Sequence, residues 1–164
     1  MKHILITNDD GYDAAGIKAL IEALSPIAKI TVVAPASEKS ACGHSLTLTR
    51  PLRLVSVDDD FYKVDDGTPT DCIFVSLNNL FKDGNKPDLV VSGINIGANM
   101  GEDITYSGTA SAAMEAVLQG IPAVAISQVY KNLSQSVKIE WDFALAKKTI
   151  FTIVSKILNG SFPL

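Results

Sequence analysis

The sequence predicts an α/β protein, a three-layer α/β/α sandwich whose central sheet is mostly parallel and Rossmann-like. Short apolar segments rich in β-branched residues alternate with amphipathic segments along the chain. The apolar segments are continuous runs, as expected for strands buried on both faces of a sheet. Polar and glycine-rich segments follow directly after them, where the binding loops of such sheets lie.

The first half of the chain contains two predicted strands, a hairpin and two helices. Apolar residues recur at helical spacing from Ala14 to Leu24, and Pro26 closes that helix. Residues 36–49 are small and polar without a period, which predicts a loop. The segment DGTPTDC leads into a second helix that ends near Leu80. The predicted strands are HILIT (3–7), KITVVAP (29–35) and the hairpin of LRLVSV (52–57) with FYKV (61–64).

The second half continues the same alternation. PDLVVSG (87–93) and PAVAIS (122–127) are the predicted strands, and SGTASAAMEAVLQG (107–120) is a helix of small residues. A glycine-rich loop precedes that helix. Residues 139–158 predict a long amphipathic helix, which Asn159 and Gly160 stop. The 164 residues therefore predict a single domain spanning 1–164.

Composition narrows the class of partner. Hydrophobic residues make up 47% and charged residues 20%, and the formal net charge is -4. Binding to long nucleic acid needs a basic surface that displaces counterions, so this chain is not expected to bind it. A small phosphorylated ligand remains compatible with the charge, because a metal ion can supply positive charge locally.

The sequence also predicts a cytoplasmic protein with no membrane partner. Cys42 and Cys72 form neither a CxxC motif nor a disulfide framework, which is typical of reduced thiols. The apolar run after Lys2 and His3 is too short for a signal peptide, and no run reaches the length of a membrane span.

Two adjacent carboxylates, Asp9 and Asp10, follow directly on the first strand. Their charges repel, and partial burial makes the repulsion costly unless a divalent cation removes it. Hard oxygen ligands of this kind suit Mg²⁺, Mn²⁺ or Ca²⁺. Taken alone, Asn-Asp-Asp-Gly is equally a turn sequence, because Asn and Asp hydrogen-bond to their own backbone.

A second cluster follows the second strand. Its serines and lysine would lie beside the two aspartates, although a solvated loop explains them as well. His44 lies in a Gly-His-Ser segment of this loop, so it could titrate near neutral pH and donate a proton. A surface histidine without a role is the alternative.

The third cluster is SGINIGANMGEDITYSGTASAA. Asn95 and Asn99 carry amide oxygens that can ligate a hard cation, and three nearby glycines allow close approach of the backbone. Ser107, Gly108 and Thr109 open a helix, whose N–H groups and positive dipole end favour a phosphate. Helix capping explains one hydroxyl without explaining the glycines and asparagines before it. The segment is neither a dinucleotide fingerprint nor a Walker A loop.

Together, the three clusters resemble the survival protein SurE family of nucleotidases. The resemblance runs in order through residues 4 to about 127. Its matching segments are ILITNDDGYDAAGI, VVAPASEKSACGHSLTL, DGTPTDC and DLVVSGINIGANMGEDITYSGTASAAMEA.

The resemblance implies a metal-dependent phosphatase that hydrolyses nucleoside monophosphates to nucleoside and phosphate. One divalent ion, Mg²⁺ or Mn²⁺, would be the cofactor. Asp9 and Asp10 would be catalytic, with Asp9 either attacking directly or positioning the attacking water. The implied site residues are Asp9, Asp10, Ser40 and Asn95 for the metal, Ser107, Gly108 and Thr109 with nearby Asn99 for the phosphate, and His44 in the matching mobile loop.

Two alternatives stay open at this point. A haloacid-dehalogenase-type phosphatase needs its second aspartate two residues after the first, where this chain has Gly11. A non-catalytic module that binds metal or nucleotide is the other.

The resemblance also concerns length and assembly. Family members continue into a C-terminal segment whose hairpins exchange between subunits, and this chain lacks that segment. We therefore expect residues 1–164 to be the N-terminal core of a longer chain, which forms a homodimer or homotetramer at full length. Apolar surface should then be left beside strand 122–127 and the last helix.

Overall fold

The computed structural model describes residues 1–82, 84–130 and 141–162. These residues form one six-stranded sheet covered by helices on both faces. The strands are β1 (His3–Thr7), β2 (Lys29–Pro35), β3 (Arg53–Asp58), β4 (Phe61–Asp65), β5 (Leu89–Ile96) and β6 (Ala123–Gln128). The α-helices are α1 (Ala15–Leu24), α2 (Pro69–Val75), α3 (Gly108–Leu118) and α4 (Ala144–Leu158).

The sheet has the strand order β3-β4-β2-β1-β5-β6. Every neighbouring pair is parallel except the β3–β4 hairpin. The first strand of the chain is therefore central, with β2 on one side and β5 on the other. This arrangement confirms the predicted α/β class and mostly parallel sheet.

The central strand β1 contributes side chains to two hydrophobic cores, because its side chains alternate between the faces of the sheet. Ile4 and Ile6 pack with α1 and α4 on one face. Leu5 packs with α2 and α3 on the other face. All three side chains are fully buried, and burial of each contributes about 2 kcal/mol.

Helix α1 lies unusually close to β5. A Cβ added at Gly16 would come within 2.0 Å of the Ile94 carbonyl oxygen, so only glycine permits this approach. The contact fixes the start of α1 beside the end of β5. The loop between β1 and α1, which carries Asp9 and Asp10, is thereby placed next to the polar end of β5.

The last helix begins later than the sequence predicts. Residues 139 and 140 lie outside the described residues, and α4 begins at Ala144. The three residues before it are tied to the end of β6, since the Asp142 carbonyl accepts hydrogen bonds from Gln128 and Tyr130. The Asp142 carboxylate accepts from the Ala144 N–H at 2.8 Å and so marks the helix start.

Two predicted segments contain additional short helices in the structure. The helix after DGTPTDC divides into α2 and a π-helical segment, Ser76–Leu80. The glycine-rich loop after β5 contains a 3-10 helix, Gly101–Thr105. Within the described ranges, no helix has both the length and the apolar character needed to cross a membrane.

Candidate active site

A small cavity lies at the carboxyl ends of β1, β2 and β5, where an open parallel sheet binds its ligands. Its volume is about 220 Å³. It unites residues from the three clusters that the sequence singles out. The lining residues are Asp9, Ser40, Ala41, Asn95, Ile96, Gly97, Ala98, Asn99, Asp103, Tyr106 and Ser107.

Asp9 is the most enclosed carboxylate of this site, with 5% of its surface exposed. The Thr109 hydroxyl donates to Asp9 Oδ1 at 2.5 Å. Burial raises the pKa of Asp9 above its usual range, and hydrogen bonds from the hydroxyl and backbone N–H of Thr109 oppose that rise. The Lys39 N–H donates to the Asp9 carbonyl at 2.7 Å, which joins the loop after β2 to this site.

Asp10 is partly buried and carries an oxygen that lacks a partner. Burial raises the pKa of Asp10 to about 6, with further contributions from the charges of Asp9 and Glu38. A hydrogen bond from the Ile96 backbone opposes the shift. Asp10 Oδ2 is buried and has no hydrogen-bond partner among the described residues. An unpaired buried carboxylate oxygen is costly, so this atom fits a cation ligand.

Ser40 lines the cavity, and its hydroxyl donates to Glu38 Oε1 at 2.7 Å. That bond leaves the lone pairs of Ser40 Oγ available as acceptors. Glu38 also raises the pKa of both aspartates by its charge. Sequence reasoning assigned Glu38 no role, although its position two residues before Ser40 was the available signal.

Asn95 and Asn99 hold the loop after β5 in place. Asn95 Nδ2 donates to the Gly97 carbonyl at 3.3 Å, and Asn99 Nδ2 donates to Ser127 Oγ at 2.7 Å. Their amide oxygens remain as acceptors at the cavity. Asp103 and Tyr106 also line it, and both were missed because they lie in a loop without a chemical pattern.

The start of α3 lies directly against Asp9. Ser107 caps the helix, since its hydroxyl accepts from the Ala110 N–H at 3.1 Å and its own N–H donates to the Ile104 carbonyl. A Cβ added at Gly108 would lie 2.8 Å from Asp9 Cβ. In this first turn, the N–H of Gly108 remains for an anion, whereas the N–H of Thr109 is directed at the Asp9 carboxylate.

His44 does not line the cavity. Its Nε2 lies 2.8 Å from Glu115 Oε2 on α3. Eight of the nine predicted site residues line the cavity or lie next to Asp9. His44 lies apart from them. Its predicted role in phosphate binding or proton transfer stays a prediction.

The donor set fits a hard divalent cation. Two carboxylates, the Ser40 hydroxyl and the Asn95 amide offer oxygen ligands only, which suits Mg²⁺ or Mn²⁺. In the described ranges, no group of three or more His, Cys, Asp or Glu side chains is placed to hold a metal. A cation here would therefore depend on Ser40 and Asn95 as well as on the aspartates.

The fold and site define an α/β sandwich protein with a carboxylate and amide cavity beside a helix N-terminus. The chain belongs to the survival protein SurE family, whose model matches residues 4–163. This confirms the resemblance found in the sequence.

Individual relatives agree with the family assignment. The chain is 74% identical to the 5'-nucleotidase SurE of Aliarcobacter butzleri over 164 residues, covering 100% of this chain and 63% of the relative. It is 67% identical to that of a Sulfurovum species, covering 99% of this chain and 61% of the relative.

A solved structure supports the same fold. The SurE protein from Aquifex aeolicus superimposes with a TM-score of 0.86 at 46% identity, over 98% of this chain and 62% of that chain. The chain thus spans less than two thirds of the length of these relatives.

Proposed function

We propose that this chain is the core of a metal-dependent 5'-nucleotidase, which hydrolyses nucleoside monophosphates to nucleoside and phosphate. The observation that carries the proposal is the contact between the Asp9 carboxylate and the first turn of α3, where Thr109 donates to Asp9 at 2.5 Å. This contact places Asp9, the proposed cation ligand, beside the N-terminus of α3. The activity named for the relatives supports the same reaction.

Asp9, Asp10, Ser40 and Asn95 are the residues that would hold Mg²⁺ or Mn²⁺. The partnerless Oδ2 of Asp10 and the free lone pairs of Ser40 Oγ support this assignment. A cation bound there would neutralise negative charge on the phosphate oxygens. Without it, a phosphate would be repelled by the two carboxylates that line the cavity, those of Asp9 and Asp103.

The substrate phosphate would contact the start of α3. The N–H of Gly108 and the positive end of the helix favour a dianion there. Asn99 lines the same cavity and could donate to the remaining oxygens. The cavity is small enough that the nucleoside would extend outward, past the exposed Tyr106.

A substrate panel tests this proposal. The whole gene product is assayed with ribo- and deoxyribonucleoside monophosphates in Mg²⁺, in Mn²⁺ and in excess EDTA. We expect phosphate release that EDTA abolishes and that Asp9→Asn reduces at least a hundredfold, by analogy with the loss of an essential charged group. Asp13→Asn, which changes an exposed aspartate of the same loop, is the matched control. Undiminished turnover in EDTA would disprove the metal requirement.

The second candidate is a non-catalytic module that binds metal or nucleotide. The observation that favours it is length, because the chain spans only 63% of the Aliarcobacter relative. The same panel distinguishes the two. Tight binding of Mn²⁺ and nucleotide without any phosphate release would support the module.

The assembly and the location of the protein belong to the same proposal. We infer a homodimer or homotetramer of a longer chain whose N-terminal core is residues 1–164. Cytoplasmic location is supported by the two free thiols of Cys42 and Cys72. Sedimentation of the whole gene product and cell fractionation test these two points.

A further inference from the structure

We propose that Thr109 is a positioning residue that sets the orientation of Asp9 for the cation. It would thereby couple the metal ligand to the phosphate-binding turn of α3. The inference rests on the proposed function, since it concerns the same site.

The geometry places Thr109 between the two parts of the site. Its side chain is 1% exposed, and its hydroxyl lies 2.5 Å from Asp9 Oδ1 although the residues are 100 positions apart in sequence. Its backbone N–H is also directed at the Asp9 carboxylate and helps to lower the pKa of that group. The hydroxyl of Thr109 is therefore the donor that holds the carboxylate.

The bond acts on one oxygen of the carboxylate. A hydroxyl has a single hydrogen to donate, and Thr109 gives it to Oδ1. Oδ2 stays free of that bond and so keeps its lone pairs for a cation. Groups that orient a metal ligand in this way change metal affinity by about 10- to 100-fold when they are removed.

A hydroxyl that serves only its own helix makes a different contact. Ser111 donates to the Ser107 carbonyl at 2.7 Å in the same helix, as helical hydroxyls commonly do. Thr109, the second residue of α3, instead donates across the fold to Asp9. Ser111 is therefore a matched control, because it is buried to the same extent two residues later.

Gly108 makes the contact possible. A Cβ at this position would come within 3.1 Å of Asp9 Oδ2 and closer still to Asp9 Cβ. Without a side chain, the helix start can approach the carboxylate closely enough for Thr109 to reach it. The absence of a side chain at Gly108 therefore brings the short side chain of Thr109 within hydrogen-bonding distance of Asp9.

The test measures Mn²⁺ binding without substrate. The whole gene product is titrated by calorimetry as wild type, Thr109→Val, Thr109→Ser and Ser111→Ala, with circular dichroism to verify folding. We expect Thr109→Val to bind Mn²⁺ about 10- to 100-fold more weakly. Thr109→Ser, which keeps the hydroxyl, and Ser111→Ala should bind as the wild type does.

The outcomes separate this inference from the proposed function. Wild-type affinity in a folded Thr109→Val would overturn the positioning role alone. Absence of Mn²⁺ binding by the wild type would overturn both the metal site and the positioning role. Should Thr109→Val fail to fold, the smaller Thr109→Ala carries the same comparison.

Discussion

The carboxylates of Asp9 and Asp10 are held close together at the end of β1, and each is partly or wholly removed from water. Burial raises the pKa of both groups, and Asp10 reaches about 6. In the metal-free protein, the ionised pair therefore costs free energy of folding. A divalent cation bound between the two carboxylates would remove this cost.

Asp10→Asn should stabilise the metal-free protein above pH 6. The folded pKa of Asp10 is raised to about 6 from an ordinary value of 3.8, so protonation favours the folded state. Its contribution is fully present below the unfolded pKa and is lost as the pH rises through 6. The asparagine variant has no ionisable group at this position, so it does not lose this stability as the pH rises.

Urea denaturation in EDTA between pH 4.5 and 7.5 measures the effect. The free energy of unfolding should fall more steeply with rising pH in the wild type than in Asp10→Asn. Asp9 adds a dependence of the same sign to both proteins, so the difference reports Asp10. Parallel pH profiles would contradict this expectation.

Gly108→Ala should disturb the site more than the fold. The new Cβ would lie 2.8 Å from Asp9 Cβ and 3.0 Å from Cys42 Sγ. Crowding of this kind costs about 1–3 kcal/mol, and here it would displace Asp9 from Thr109. Denaturation and Mn²⁺ titration measure both effects.

The double variant Gly108→Ala with Cys42→Ala identifies the contact that matters. It removes the sulfur but leaves the clash with Asp9, so Mn²⁺ affinity should stay low. Restored affinity would show that Cys42, and not Asp9, is the group that the new methyl displaces.

At the scale of elements, the loop after Ser40 is fastened to two helices. Asp71 is fully buried and completes a capping box with Thr68 at the start of α2. It also accepts from the N–H and hydroxyl of Thr47 at 2.8 and 2.6 Å. His44 attaches the same loop to Glu115 of α3.

Asp71→Asn should destabilise the protein by about 2–4 kcal/mol, because a buried charged acceptor with several donors is lost. His44→Ala should cost about 1 kcal/mol, since it breaks a single, partly buried pair. Denaturation compares the two, and tryptic cleavage after Lys39 reports loosening of the loop. Equal losses would contradict the unequal roles assigned to these anchors.

For the molecule as a whole, periodicity predicted the order of elements and most of their bounds. The predicted start of α4 was wrong because the Asp142 carbonyl accepts from the Gln128 side chain of β6, a tertiary contact that helical spacing does not reveal. The sequence also predicted which loops meet at the cavity. It did not predict that the Thr109 hydroxyl donates to Asp9, because such a contact depends on distances between loops.

An apolar surface lies beside β6, on the side of α3. Met114, Val117 and Leu118 are 49%, 59% and 73% exposed, and they border a cavity that Ala123 of β6 completes. Contiguous apolar surface of this kind favours association. Val117→Lys with Leu118→Lys should therefore reduce self-association of the 164-residue chain.

Sedimentation velocity measures this change. Leu48→Lys is the matched control, since Leu48 is 82% exposed but lies in the loop after β2. That control should leave the sedimentation profile as it is. Unaltered association in the double lysine variant would show that α3 takes no part in it.

The central position of β1 also has a consequence for synthesis. Of the six strands, β1 is synthesised before the others and pairs with β2 early, but its other edge waits for β5, about 85 residues later in sequence. Pairings across such long separations form slowly. Asp9 and Asp10 are thus made well before Thr109, which reaches Asp9 only after the residues between them have been synthesised. A nascent chain that stops before α3 would carry both aspartates exposed beside an unfilled edge of the sheet, the state in which chaperone contact matters most.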